Sequence, residues 1–160
     1  MNSTFTIKNS KVVNEGQIAE TDVIIKNGRF EKIGNNLESE GEVIDAAGLF
    51  LMPGIIDDQC HFREPGLTER GSIRTESLSA IAGGTTTFMD MPNVLPPTLD
   101  INLWREKISI AEKSASANFS FYMGTSNSNI DEIKAINPKE VCGIKIFMGS
   151  STGDLHVDSE

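Results

Sequence analysis

The chain has 160 residues, of which 38% are hydrophobic, and a formal net charge of −9 at neutral pH. That length suits one ordinary domain, and that hydrophobic share supports a core, which excludes global disorder. The acidic balance argues against a nucleic-acid or anionic-membrane partner, while leaving room for a local basic site that takes an anionic small molecule.

No apolar run nears the ~20 residues that cross a bilayer. The first residues, Met1-Asn2-Ser3-Thr4-Phe5, lack the basic-then-apolar order of a signal peptide. Cys60 and Cys142 have no Cys-x-x-Cys spacing and read as reduced thiols of a cytoplasmic protein.

Residues 1–50 carry β patterning and almost no candidate chemistry. Short strands are predicted over 5–8 and 11–13, followed by a turn at Asn14-Glu15-Gly16. Asp22-Val23-Ile24-Ile25-Lys26 runs into Asn27-Gly28 and then Arg29-Phe30-Glu31-Lys32-Ile33. Asn-Gly between apolar runs is the strongest short-range hairpin signal. Glu42-Val43-Ile44-Asp45 predicts a further strand. A sheet this small needs a packing partner.

From residue 49 the pattern switches to alternating strands and helices. Leu49-Phe50-Leu51-Met52, then Pro53-Gly54-Ile55-Ile56, read as a buried strand that delivers polar groups at its C-terminal end. A helix follows over 73–82, with Ser72 as N-cap and Gly83-Gly84 as the stop. The second strand covers 85–91. Asp100 caps a helix to about Ser114, with Trp104, Ile108 and Ala111 on one face. The third strand is placed at 118–123. A short helix from Ser128 or Asn129 carries Ile130, Ile133 and Ile136, and the fourth strand is placed at 142–148. The order predicts an α/β fold of parallel strands with right-handed crossovers.

Four such units make half of a (β/α)8 barrel, which takes about 200–250 residues. The expectation is therefore an incomplete β-sandwich segment over 1–50 and the N-terminal half of a barrel over 51–160. The rival is a self-sufficient four-stranded α/β domain.

The chemistry gathers after the first barrel strand. Side chains alternate along a strand, so Asp57, Gln59, His61 and Arg63 share one face, with Asp58, Cys60 and Phe62 on the other. A carboxylate, an amide, an imidazole and a guanidinium in a row make a poor core face and suit the mouth of a site for a metal and an anion. Arg63 matches a carboxylate bidentately, or pairs with Glu64 at the surface. Asn93, after Met91-Pro92, ends the second strand beside this stretch, or is a turn residue before Pro96-Pro97. Lys145 lies inside the apolar stretch Ile144-Lys145-Ile146-Phe147, where it serves a site or snorkels from the strand end. His156 reads as a surface residue.

Pro53-Gly54-Ile55-Ile56-Asp57-Asp58-Gln59-Cys60-His61-Phe62-Arg63-Glu64-Pro65-Gly66 resembles the motif Pro-Gly-x-x-Asp-x-His-x-His-x-Arg-Glu-Pro-Gly that opens the catalytic barrel of dihydroorotases, in the amidohydrolase superfamily. One fixed position differs: Gln59 stands where the first metal-binding His belongs. The resemblance continues through Ala82-Gly83-Gly84-Thr85-Thr86-Thr87, Met91-Pro92-Asn93 and Gly143-Ile144-Lys145-Ile146-Phe147-Met148-Gly149-Ser150-Ser151-Thr152-Gly153.

It implies two zinc ions bridged by hydroxide, with His61 as a ligand and Lys145, carboxylated by CO2, bridging both. Gln59 would be a weak ligand, or Asp57 its substitute, since an amide oxygen binds zinc less well than imidazole. Arg63 and Asn93 would hold the carboxylate of N-carbamoyl-L-aspartate or L-dihydroorotate, whose reversible cyclisation the family catalyses in pyrimidine synthesis. Two further histidines and the aspartate general base would come from later barrel strands. No catalytic residue is therefore expected in this chain, and the chain alone should be inactive.

The expected assembly is a homo-oligomer, with aspartate transcarbamoylase as a possible partner. One rival is a non-catalytic dihydroorotase-like subunit, which Gln59 favours. Another is an allantoinase or hydantoinase of the same fold; Arg63 and Met91-Pro92-Asn93 look like dihydroorotase instead.

A half-barrel has two open strand edges and uncovered apolar faces, and each Å2 left wet forfeits roughly 25 cal/mol. The 160-residue chain should therefore self-associate. Light scattering over a dilution series checks this; a strictly monomeric, compact chain would sink the half-barrel expectation.

Overall fold

The computed structural model describes residues 3–149 and 155–158 and divides the chain into two units, Met1–Pro53 and Gly54–Glu160. The Ser150-Ser151-Thr152-Gly153 part of the last motif lies outside the described residues.

The first unit is one sheet of five strands: β1 (Thr4–Asn14), β2 (Gln17–Lys26), β3 (Arg29–Gly34), β4 (Glu42–Asp45) and β5 (Phe50–Leu51). The order is β3-β2-β1-β4, and β5 also pairs with β1. β1-β2 and β2-β3 are antiparallel hairpins, whereas β4 and β5 run parallel to β1. Both hairpin turns place two consecutive residues at positive φ: Glu15 at 48° with Gly16 at 75°, and Asn27 at 52° with Gly28 at 73°. That is the turn whose twist matches flanking strands.

The two short strands expected at 5–8 and 11–13 form one strand, with its register shifted between Ile7 and Ser10 and Asn9 at φ 59°. Asp22 holds this irregularity. Its carboxylate accepts from the Asn9 and Leu37 backbone N–H groups, each at 3.0 Å, and pairs with the Lys8 ammonium at 2.5 Å.

The run at 49–52 belongs to this sheet and not to the strand that carries the site. Phe50 and Leu51 pair with β1, and Lys11 N–H donates to Leu49 C=O at 2.9 Å. The first unit accordingly extends to Pro53. Val23 and Ile24 are its buried centre, while Ile18, Phe30 and Ile33 stand exposed. Phe30 and Ile33 line an apolar groove of about 180 Å3 together with Val12, Val23, Leu51 and Met52.

The second unit runs β6 (Ile55–Cys60), α1 (Ile73–Ala82), β7 (Thr85–Asp90), α2 (Ile101–Ser114), β8 (Asn118–Phe121), β9 (Met123–Gly124), α3 (Ile130–Ala135) and β10 (Ile144–Lys145). β6, β7 and β8 form a parallel sheet in that order, and β9 pairs in parallel with β10. The alternation of parallel strands and helices is as the sequence predicts. Ser72 caps α1 in a reciprocal box with Thr75, and the Asp100 carboxylate caps α2 by accepting from the Asn102 and Leu103 N–H groups. Phe62, Ile73, Phe88, Trp104, Ala111, Phe121 and Met123 form the core, and the Trp104 indole N–H donates to Phe121 C=O at 2.9 Å.

Four expectations are corrected here. The first barrel strand is not buried: β6 is exposed from Ile55, 53% accessible, through Gln59, and its first buried residue is Cys60. Within the described residues β6 has β7 on one side only. The third strand is interrupted at Tyr122, giving β8 and the two-residue β9. The fourth shrinks to Ile144–Lys145, since its partner β9 is equally short. Beyond it a single parallel bridge joins Phe147 to His156, which is half-buried at that bridge and not a free surface side chain.

The Lys8 ammonium and then the Asn9 N–H hold the Asp22 carboxyl below the usual carboxylate range. A carboxyl lowered on folding contributes stability above its unfolded pKa, near 4, and that contribution is lost as pH falls through the folded value. Asp22→Asn should flatten the acid-induced loss of the first unit below about pH 4. NMR intensities of the Asn9 and Leu37 amides across an acid pH series check it; identical acid limbs in both proteins would remove Asp22 from this role.

Candidate functional site

The ends of β6 and β7 are tied by one carboxylate. Asp90, the last residue of β7, is fully buried. Its Oδ1 accepts from Phe62 N–H at 2.8 Å and lies 3.9 Å from Cys60 Sγ. Its Oδ2 is 2.6 Å from Nζ of Lys107, on α2, and both side chains are fully buried. The Lys107 ammonium also donates to Met91 C=O at 3.0 Å and lies 4.7 Å from the centre of the Phe121 ring. Burial pushes the Lys107 pKa down, against the opposing pull of the Asp90 carboxylate.

The loops beyond the strands are locked in turn. Glu64 Oε2 accepts from Ile73 N–H at 2.7 Å, at the start of α1, so Glu64 serves as a helix cap and not as the surface partner of Arg63. Leu95 N–H donates to Pro65 C=O at 3.1 Å. Gly66 sits at φ 81°, and a Cβ there would lie 1.9 Å from the Leu95 carbonyl oxygen, so only glycine fits.

On this base stand three of the residues singled out in the sequence. His61 Nδ1 is 2.8 Å from Asn93 Oδ1, and Arg63 Nη1 donates to Asn93 C=O at 3.4 Å. A carboxamide oxygen can only accept, so this contact calls for a proton on Nδ1, and in that tautomer the neutral imidazole presents its lone pair on Nε2. Arg63 has φ 67°, a left-handed conformation that costs an L-residue roughly 1–2 kcal/mol. Strain of this kind collects where a side chain must be aimed.

The other candidates are not linked to this trio by a hydrogen bond or ion pair among the described residues. Asp57 and Gln59 lie on the exposed part of β6, where Asp57 Oδ1 accepts from Gln59 N–H at 3.0 Å. Lys145 is half-buried on β10, with Nζ 5.0 Å from the centre of the Phe147 ring. It is neither sealed in an apolar strand nor paired with a carboxylate among the described residues.

Among the described residues no three His, Cys, Asp or Glu side chains converge in a way that would hold a metal ion. His61 itself fits a zinc ligand: one ring nitrogen is oriented by a hydrogen bond and the other makes none among the described residues, the usual arrangement of a metal-binding imidazole. Zinc takes about four ligands, and the described side chains do not complete that set.

The sequence reading missed Asp90 and Lys107. The signal was there: Lys107 falls three residues after Trp104 and four before Ala111, on the buried face of α2, and a lysine there requires a buried partner. Burial, then the Asp90 and Asp57 carboxylates, push the Cys60 thiol far up, and burial also raises Cys142. Both thiols are therefore poor nucleophiles.

No protein-family model matches the chain. It is 35% identical to a dihydroorotase of Methanosarcina acetivorans over 157 residues, 96% of this chain and 33% of that protein. It is 36% identical to an allantoinase of Solibacter usitatus over 150 residues, 93% of this chain and 33% of that protein. Its fold matches the solved L-hydantoinase of Arthrobacter aurescens with TM-score 0.90 and 31% identity, covering 98% of this chain and 35% of that one. The chain thus spans about a third of the length of the relatives it matches, and all three belong to the amidohydrolase superfamily.

Removing one partner of a buried ion pair leaves an unpaired charge and costs about 3–5 kcal/mol. Lys107→Met should destabilise the second unit by that amount, read as a fall in the urea midpoint of Trp104 fluorescence. A loss under about 1 kcal/mol would mean that water or a neighbour already screens Asp90.

Proposed function

We propose, from the premise that this chain is part of an amidohydrolase-superfamily enzyme, that the complete protein is a dihydroorotase. It would interconvert N-carbamoyl-L-aspartate and L-dihydroorotate by closing or hydrolysing the ring amide C–N bond. The observation that carries the reading is the meeting of His61 and Arg63 on Asn93 at adjacent strand ends. A guanidinium aimed there, with N–H donors to spare, suits a substrate carboxylate. Dihydroorotate carries a carboxylate outside its ring amide; hydantoin and allantoin do not.

In this reading Arg63 clamps the carboxylate and Asn93 orients both Arg63 and His61. His61 through Nε2, Lys145 as its carbamate, and Gln59 or Asp57 are the residues of this chain that would hold zinc. When bound, a zinc pair supplies a polarised carbonyl and a nucleophile at neutral pH. The remaining ligands and the general base belong to the rest of the enzyme. Assembly as a homo-oligomer, contact with aspartate transcarbamoylase and a cytoplasmic setting belong to the same proposal.

The likeness to an allantoinase and to L-hydantoinase supports a second reading, a cyclic amidase of those types. The Arg63 clamp separates the two. In the complete enzyme Arg63→Lys keeps the charge but loses the planar fork. A charge-assisted bond is worth roughly 1.5–3 kcal/mol, so kcat/KM for dihydroorotate should fall about tenfold or more, with hydantoin turnover little changed. Unchanged dihydroorotate kinetics, or wild-type preference for hydantoin or allantoin, would decide against the dihydroorotase reading.

A further inference from the structure

Buried ion pairs gain little stability over an apolar pair of equal volume, so the fully buried Asp90–Lys107 pair calls for another reason. Its hydrogen bonds supply one. Asp90 takes the N–H of Phe62, the residue between His61 and Arg63. Lys107 takes the C=O of Met91, two residues before Asn93. An apolar pair could fill the space but would leave both backbone groups without partners. Phe62 is held from its other side by the Phe88 ring, with centroids 4.4 Å apart, so the segment that carries both functional side chains is clamped at its midpoint.

We infer that Asp90 and Lys107 are positioning residues, which fix the backbone from which His61 and Arg63 project and so hold His61 Nδ1 against Asn93. Neither touches substrate. The inference rests on the proposed function only for what the trio acts upon; the geometry it explains is present in the chain itself.

The test is NMR on the 160-residue chain without metal. It contains two histidines, so each imidazole can be assigned. Long-range 1H–15N correlations should show His61 protonated on Nδ1 in the wild type. Asp90→Leu/Lys107→Met removes both charges together and both backbone contacts. In it, His61 should shift to a mixture of tautomers while His156 keeps its spectrum. Asp90→Asn/Lys107→Met, whose carboxamide can still accept from Phe62 N–H, should restore the Nδ1–H form in part. A folded Asp90→Leu/Lys107→Met chain with His61 in its wild-type tautomer overturns the inference.

The wild type gives a second readout that needs no variant. The Phe62 amide should exchange with solvent about tenfold or more slowly than the amides of His61 and Arg63, and equal rates overturn the inference. In the complete enzyme, loss of such an orienting contact should cost about 10–100-fold in turnover. Because the NMR readouts need no substrate, failure of the dihydroorotase reading leaves them unmoved, and their failure leaves that reading standing.

Discussion

The Asp90 carboxylate is the point on which the second unit turns. It ends β7, receives the Phe62 N–H beyond β6 and meets the Lys107 ammonium of α2. Three elements distant in sequence thus converge on two oxygen atoms. The cost of burying these charges is offset only while every contact is made. That requirement makes the arrangement at the strand ends unique. The aromatic cluster around Phe88 packs against the same place, with Phe62, Phe119 and Phe121 all within 6.3 Å between ring centroids. Apolar packing supplies bulk stability there, while the ion pair decides where the backbone sits.

That rigidity has a chemical consequence. His61 is exposed and would otherwise sample both tautomers and many rotamers. Asn93, buried and on the neighbouring strand end, places its Oδ1 2.8 Å from Nδ1 and so favours the tautomer protonated there. Arg63 reaches the same residue through its carbonyl from a left-handed backbone. Asn93 is therefore the shared reference that both His61 and Arg63 meet. Gln59 lies on the exposed stretch of β6, and its side chain makes no hydrogen bond to His61 or Asn93 among the described residues.

The first unit follows the same logic with different groups. Asp22 accepts two backbone N–H groups and pairs with Lys8 where β1 departs from regular register. A buried carboxylate again absorbs the donors that an irregular backbone leaves over. Around it the sheet keeps its apolar residues only partly covered: Ile18, Phe30 and Ile33 are each at least 60% accessible.

The features legible in the chain alone were local. The turns at Asn14-Glu15-Gly16 and Asn27-Gly28, the caps Ser72 and Asp100 and the periodicity of α2 depend on residues within a few positions of one another. Steric and hydrogen-bonding rules at that range are readable in one dimension. The motif around His61 was legible for a related reason, since residue types and their spacing carry it. The tertiary structure decided which sheet the run at 49–52 would join, how short β10 would be and that β6 would lie exposed, because strand pairing depends on what lies alongside. It also decided that Glu64 caps α1 and that Asp90 meets Lys107. The energy of a buried charge is set by its partner in space, and no local pattern names that partner.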